Sequence, residues 1–376
     1  MQVRMADLPA QNKELQPELI AAMQEVIESG YFVNGTNVKA LESEIASYCA
    51  STHGLSLNSG TDALLMALLA SGVGPGDEVI TPPFTFVATA ETVALAGATP
   101  VFADIDPVSF NLCPKSTEAR ITSKTKAIIP VHLFGQPANM SAFKDIAKQQ
   151  GLTLIADGAQ SIGATYRGDA LGKWSDLLTL SFFPTKNLGA LGDGGMVLTD
   201  NPEQAEKIRL LRSHGSGGTY SYDEIGYCSR LDELQAAFLR VKFKHIESWN
   251  DARRGNAALY NNCLDDLTEQ IALPTEDENT RHVYHQYTIR VRNNQRQKLQ
   301  KHLSDKGVFC AIYYPGAIHL EPAYRHLGCK RGDFPEAELA ADQVLSLPVH
   351  PNVTHEQIEY TAAAIREFFT QTSKTK

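Results

Sequence analysis

Residues 152–189 constrain this chain more than any other stretch. Positions 152–156 form a short apolar run of the kind that lies buried on both faces in a parallel sheet, and the run ends in Asp157. A second such run, 177–183, leads through Pro184 and Thr185 into Lys186. Two buried strands would then each bring one ionisable residue to their carboxyl ends, the edge at which open α/β sheets bind ligands. A carboxylate and an amine delivered in this way suit pyridoxal 5'-phosphate (PLP), with the lysine as covalent anchor and the aspartate as partner of the pyridinium nitrogen. A lone lysine is ordinarily a solvated surface residue, and aspartate after a strand is a common turn former. Lys186 is set apart by its context, because it carries the only charge between residues 177 and 192.

The surrounding pattern supports an α/β frame for these two runs. Strands are expected at 99–104, 127–132 and 152–156, with helical spacing between them, notably over 142–150. That alternation implies right-handed βαβ units and a mostly parallel central sheet covered by helices on both faces. A further strand is expected at 194–199 and a helix at 202–212. Upstream, Leu19, Ile20, Met23, Val26 and Ile27 recur at helical spacing, which predicts a helix over 15–29 stopped by Gly30. Asn58 or Ser59 can cap a helix whose apolar face is Leu64, Leu65, Leu68 and Leu69, and the free N–H groups at such a helix start form an anion site. Residues 214–222, rich in Gly, Ser and Tyr, read as a loop. From about residue 245 a helical stretch leads into a smaller α+β C-terminal domain with a strand at 284–291 and a helix at 295–305. This divides the chain into 1–245 and 246–376, with 371–376 as a frayed polar tail.

Composition excludes several classes. The 376 residues carry a net charge of −9 with no basic tract, which argues against a nucleic-acid partner. No apolar run approaches the length of a membrane span, and the first fifteen residues lack the apolar core of a signal peptide. The six cysteines show no CxxC spacing and read as reduced thiols, so a cytoplasmic protein is expected. No GxGxxG or Walker pattern occurs, which weighs against dinucleotide and nucleoside-triphosphate binding. His282 and His285 stand three apart in a strand-like pattern that would put them on opposite faces, so no metal site is expected there.

Several separated motifs, in order, give the chain a resemblance from Asp7 to about Thr354. Asp157, Gln160 and Ser161, then Ser181 through Lys186 to Gly189, and the Asn58–Asp62 turn resemble the cofactor motifs of the DegT/DnrJ/EryC1/StrS family. Its members are fold-type I, PLP-dependent aminotransferases acting mainly on nucleotide-linked keto sugars. The resemblance implies that Lys186 anchors PLP and moves protons, that Asp157 faces the ring nitrogen, and that Gln160 lies near the phenolic oxygen. It implies Phe86 stacked on the ring, and Gly60, Thr61, Asp62 and Ser181 around the phosphate. It further places Tyr31, Arg230, Tyr314 and His319 about the substrate. Residues 226–235 resemble the segment that crosses to the partner of a homodimer, where the usual Asn that reaches the neighbouring phosphate is replaced by Cys228. The usual His before Tyr-Pro is also replaced, by Tyr313.

The implied reaction is ping-pong transamination from L-glutamate. The likeness of residues 132–136 and 319–322 is greatest to members that aminate C3 of dTDP-linked 6-deoxy keto sugars, whereas UDP-sugar and C4 members share most of the motifs. A cyclitol-ketone aminotransferase and a PLP-binding regulator without turnover are the other readings. Lys186 itself argues against the family's sugar dehydratases, in which His replaces the lysine.

Overall fold

The computed structural model describes residues 1–218 and 220–373. The apolar runs of the first two thirds of the chain line up in one seven-stranded sheet. In chain order its strands are β1 (His53–Leu57), β2 (Glu78–Thr81), β3 (Thr99–Phe102), β4 (Thr125–Ile128), β5 (Thr153–Asp157), β6 (Leu177–Ser181) and β7 (Gly195–Thr199). They lie in the order β1-β7-β6-β5-β4-β2-β3. Strands β2 to β6 pair in parallel, and β7 runs antiparallel to both of its neighbours. The strands are apolar on both sides because both faces are covered. Ile80, Ile128, Leu154 and Leu178 pack with Phe143 of one helix layer, while Val79, Ala127, Ile155 and Val197 pack with Leu64 and Leu68 of the other.

The helices that flank this sheet are α1 (Leu8–Ser29), α2 (Thr36–Tyr48), α3 (Gly60–Ala70), α4 (Ala88–Leu95), α5 (Met140–Gln150), α6 (Pro202–Leu211), α7 (Glu233–Phe243) and α8 (Ile246–Leu264). Helix α1 starts seven residues earlier than its apolar spacing predicts, because Asp7 caps it by accepting a hydrogen bond from the Ala10 amide (3.2 Å) and Pro9 fits the first turn. Helix α2 has no side-chain cap of its own. The buried carboxylate of Glu233, at the start of α7, accepts from the Asn37 and Val38 amides at 2.5 and 3.1 Å. Residues 214–222 are partly ordered as a short hairpin, Ser216–Gly218 with Ser221–Tyr222, and Thr219 within them lies outside the described residues.

The smaller domain is an antiparallel sheet of β8 (Ile271–Ala272), β9 (Tyr287–Val291) and β10 (Val344–Leu347), packed against α9 (Arg296–Asp305) and α11 (His355–Ser373). Of the tail at 371–376, the last three residues lie outside the described ones. The first residues of the chain also join the core of this domain. Val3 is buried in the core of the smaller domain, its amide donating to Gly307 O while its carbonyl accepts from Phe309 N, both at 2.9 Å. Among the described residues no helix is long and apolar enough to cross a membrane.

Helix α10 (Pro335–Gln343) packs through Ala337, Ala340 and Ala341 against Phe102 of β3 in the larger sheet, and its first turn is capped from there. The Asp104 carboxylate, just past β3, accepts from the Glu336 and Ala337 amides at 3.0 Å each. Replacing Asp104 by Ala should cost about 1–2 kcal/mol, the usual value of a helix cap. Urea unfolding of Asp104→Ala checks this, with the smaller domain expected to lose stability first.

Candidate active site

Asp157 closes β5 at the carboxyl edge of the sheet. Its backbone is held on both sides, the amide donating to Pro130 O and the carbonyl accepting from His132 N, each at 2.9 Å. The side chain is buried at 5 % exposure. Oδ2 accepts from the Thr89 hydroxyl at 2.9 Å and Oδ1 from the Ala159 amide at 3.1 Å. Burial pushes the carboxyl up from its ordinary value, and the Ala159 amide, the Thr89 hydroxyl and Lys186 pull it back.

Lys186 sits in a tight loop after the adjacent strand β6. Ala190 N donates to Phe182 O and Lys186 N to Phe183 O, both at 2.8 Å. The loop closes so sharply that a Cβ on Gly189 would lie 2.2 Å from Pro184 O, and only glycine fits there. The next side chain, Asn187, locks the loop to the rest of the fold. Its amide donates to Asn250 Oδ1 (2.8 Å) and Val283 O (3.1 Å), so its carbonyl is left to accept from His285 Nδ1–H at 3.1 Å. Burial holds His285 well below its ordinary value, which agrees with this neutral tautomer. The Lys186 side chain is partly open to the cleft, and burial of its amine lowers it to about 8 while Asp157 draws it up. Nothing in local sequence marks Asn187, Asn250 and His285 as one unit.

The candidate phosphate end is assembled from the turn after β1 and the end of β6. Ser59 caps α3, its hydroxyl oxygen accepting from the Asp62 amide at 3.0 Å, which leaves the Gly60 and Thr61 amides at the helix start. A Cβ on Gly60 would lie 2.6 Å from the Ser181 Cβ, so bare backbone and the Ser181 side chain face each other across the cradle. Asp62 differs from expectation. Its amide is committed to the cap and its carboxylate accepts from the Ser229 hydroxyl at 2.5 Å, leaving Gly60, Thr61 and Ser181 to face an anion.

At the ring end, Phe86 is half exposed and its ring lies 6.1 Å from that of Tyr314. Tyr314 OH is 3.2 Å from Gln160 Nε2, and Gln160 Oε1 accepts from Phe134 N at 2.6 Å. Burial pushes the Tyr314 phenol well up. The fold therefore brings Lys186 near Asp157, Asp157 near Tyr314, and Tyr314 against Gln160 and Phe86, with Gly60 against Ser181.

His319 does not join them. It is 1 % exposed, packed against Phe334 and Phe102, with Nε2 at 3.2 Å from Glu338 Oε1. It lies in a short 3-10 turn, Ile318–Leu320, whose neighbours Ala317 and Ile318 pack into the same apolar cluster as Phe102 and Phe334, so its ring is turned into the core and not to the cleft where the resemblance puts it. His282 and His285 take unrelated partners: His282 Nδ1 accepts from Tyr284 N, while His285 faces Asn187. Tyr31 is 72 % exposed. Cys228 is also exposed, with the Arg230 guanidinium donating to its sulfur at 3.0 Å. Among the described residues no hydrogen bond or ion pair ties Tyr31, Cys228 or Arg230 to Lys186 or Asp157 of the same chain.

The donor set fits PLP: a lysine amine, a buried carboxylate for a protonated ring nitrogen, and an amide-lined helix start with a hydroxyl for a phosphate dianion. A glycine-lined cradle that no Cβ could enter is the feature of this structure that makes the fit specific. Fold and site together define a lysine-centred transaminase of the α/β class. The chain belongs to the DegT/DnrJ/EryC1/StrS aminotransferase family, whose profile matches residues 13–366. It is 50 % identical to the "Pleiotropic regulatory protein" of Geobacillus stearothermophilus, over 98 % of this chain and 99 % of that one. It is 42 % identical to the dTDP-3-amino-3,4,6-trideoxy-alpha-D-glucose transaminase of Streptomyces venezuelae, over 97 % and 96 % of the two chains. The crystal structure of S. venezuelae DesV superposes with a TM-score of 0.95 at 42 % identity, covering 98 % of each chain.

The electrostatics make Lys186 testable without cofactor. In apo-protein, acylation of Lys186 should rise through about pH 8, roughly two units below an ordinary lysine. Because the Asp157 charge raises the amine, Asp157→Asn should move that midpoint lower still. Peptide mass spectrometry after pulse acylation across pH 6–11 reads both values. A midpoint near 10.5 in the wild type would show that the amine is fully solvated.

Proposed function

We propose that this chain transfers the amino group of L-glutamate to the ketone of a nucleotide-linked sugar, a dTDP-3-keto-6-deoxyhexose in the first instance. The observation that carries this reading is the delivery of Lys186 and Asp157 into one cleft from adjacent parallel strands, with a phosphate cradle beside them. PLP, when bound, supplies the electron sink for charge developing at the α-carbon of the amino acid. The protein's own residues do the rest. Lys186, lowered towards neutrality by burial, can take the proton from that carbon and return it. Asp157 would face the ring nitrogen with its negative charge, and Gln160 and Tyr314, hydrogen-bonded to each other, would contact the bound cofactor. The dTDP sugar and the C3 position follow the S. venezuelae transaminase, and the glutamate donor follows the family resemblance.

Homodimeric sites are part of the same proposal. Tyr31, Phe32 and Val33 are each at least 45 % exposed, and in the segment leading to Cys228 so are Tyr220, Tyr222 and Ile225. Exposed apolar residues of this kind are consistent with burial against a second copy of the chain. Among the described residues Arg230 has no carboxylate partner, and it would face the substrate of the other subunit. With six free thiols, the protein suits a reducing cytoplasm.

Purified protein with PLP should convert glutamate to 2-oxoglutarate in a single half-reaction, and Lys186→Ala should slow it by about 100- to 10,000-fold. Borohydride should fix the cofactor on Lys186 alone. A panel of 3-keto and 4-keto sugars on dTDP and UDP, with products read by NMR, assigns the acceptor. A protein that binds PLP yet gives no half-reaction is a regulator instead.

Cys228 generates a separate expectation. A thiol is a weak donor, so Cys228→Asn should restore a hydrogen bond to the partner's phosphate and tighten PLP binding by up to about 10- to 100-fold. Unchanged or weaker affinity would put Cys228 away from the phosphate.

A further inference from the structure

Asp157 is ionised only if something offsets its burial, and the hydrogen bonds around it can be counted. Oδ1 accepts from Ala159 N. Oδ2 accepts from the Thr89 hydroxyl at 2.9 Å. Thr89 has a single proton and three oxygens in reach: Asp157 Oδ2, Phe86 O at 3.3 Å and Thr85 Oγ1 at 3.3 Å. The carboxylate is the nearest and the only charged one, so the proton goes there. The Thr89 oxygen is then free to accept, and Thr85 Oγ1 is placed to donate to it. Both threonines are buried, Thr89 completely and Thr85 to 4 % exposure, so water does not compete. Thr89 lies in the first turn of α4, where the positive end of the helix also favours an anion.

We infer that Thr89, backed by Thr85, is a positioning residue that holds the Asp157 carboxylate ionised and fixed in orientation at the base of the cleft. The inference rests on the proposed PLP chemistry and deepens it, since an aspartic acid that kept its own proton could not balance a protonated ring nitrogen. The same short segment carries Phe86, so residues 85–89 set the ring contact and the carboxylate together. The other groups facing Asp157 are Lys186, whose charge favours the carboxylate, and the Tyr314 phenol, whose ionisation Asp157 opposes. The His132 ring, on the segment bonded to the Asp157 backbone, is held neutral by burial at about 3 and adds no charge.

An internal control lies one turn further along the same helix. Thr92 is equally buried, and among the described residues its hydroxyl bonds only to Ala88 O and Thr89 O within the helix. The experiment compares Thr89→Val, Thr89→Ser, Thr85→Val and Thr92→Val in the full-length protein. It measures the PLP dissociation constant, the pH midpoint of the bound cofactor's visible absorbance, and the rate and apparent KM of the glutamate half-reaction. Thr89→Val should weaken PLP binding by about 10- to 100-fold, move the absorbance midpoint by about one unit or more, and lower the rate with little change in KM. Thr89→Ser should recover most of each loss. Thr85→Val should shift the same quantities in the same direction by less, and Thr92→Val should match the wild type in all of them.

The inference is overturned if Thr89→Val matches the wild type, if serine gives no rescue, or if Thr92→Val reproduces the loss. If Thr89→Val fails to fold, Thr85→Val decides alone, and a wild-type midpoint and affinity there overturn the relay. Failure of the underlying reading is distinguishable, because the wild type would then neither bind PLP nor be labelled at Lys186.

Discussion

A carboxylate and an amine withdrawn from water side by side are the constraint on which the rest of this structure depends. Burial drives Asp157 and Lys186 alike towards their neutral forms, and each charge opposes that drive on the other. Such a pair is costly to hold, because desolvation can exceed the mutual attraction unless further hydrogen bonds are supplied. The sheet edge supplies them to Asp157 through Ala159 N and Thr89. The lysine loop is held instead by its backbone turn and by Asn187. Lys186 is thus lowered to about 8, near the point where its proton can move.

The anchoring of Lys186 reaches far beyond its own strand. Asn187 binds Asn250 in α8 and the backbone at Val283, and faces His285, all residues that lead into the smaller domain. Asp104 caps α10 of that domain from a point just past β3. Any shift of the smaller domain against the larger one therefore acts on the lysine loop directly, through hydrogen bonds rather than through diffuse packing.

Much of this arrangement was legible before any coordinates. Strands buried on both faces read as continuous apolar runs, so β5 and β6 and the residues at their ends announced themselves, and Asn58 or Ser59 marked the start of α3, with Ser59 as the cap in the structure. What stayed hidden depends on partners remote in the chain. Glu233 caps α2 from 196 residues away, and Val3 joins a core whose other members begin after residue 250. Neither leaves a local pattern. His319 illustrates the opposite error, since a histidine within a familiar motif reads as functional until its packing against Phe334 and Glu338 is known. Asp62 sits in the expected motif as well, but its amide serves the helix cap. The motif fixes position without fixing which atom is left free.

The phosphate cradle carries a consequence for synthesis of the chain. Gly60 meets Ser181 on β6, and Ser59 lies against Gly195 on β7, which wedges between β1 and β6. The ribosome therefore releases α3 about 135 residues before the last wall of its pocket exists. At translation rates of roughly 5–20 residues per second, that delay is about 7–27 seconds. Over this interval Ala63 to Leu68, all buried in the finished protein, lack the β7 wall that completes their cover. The nascent chain thus carries a partly uncovered apolar helix for far longer than a helix takes to form.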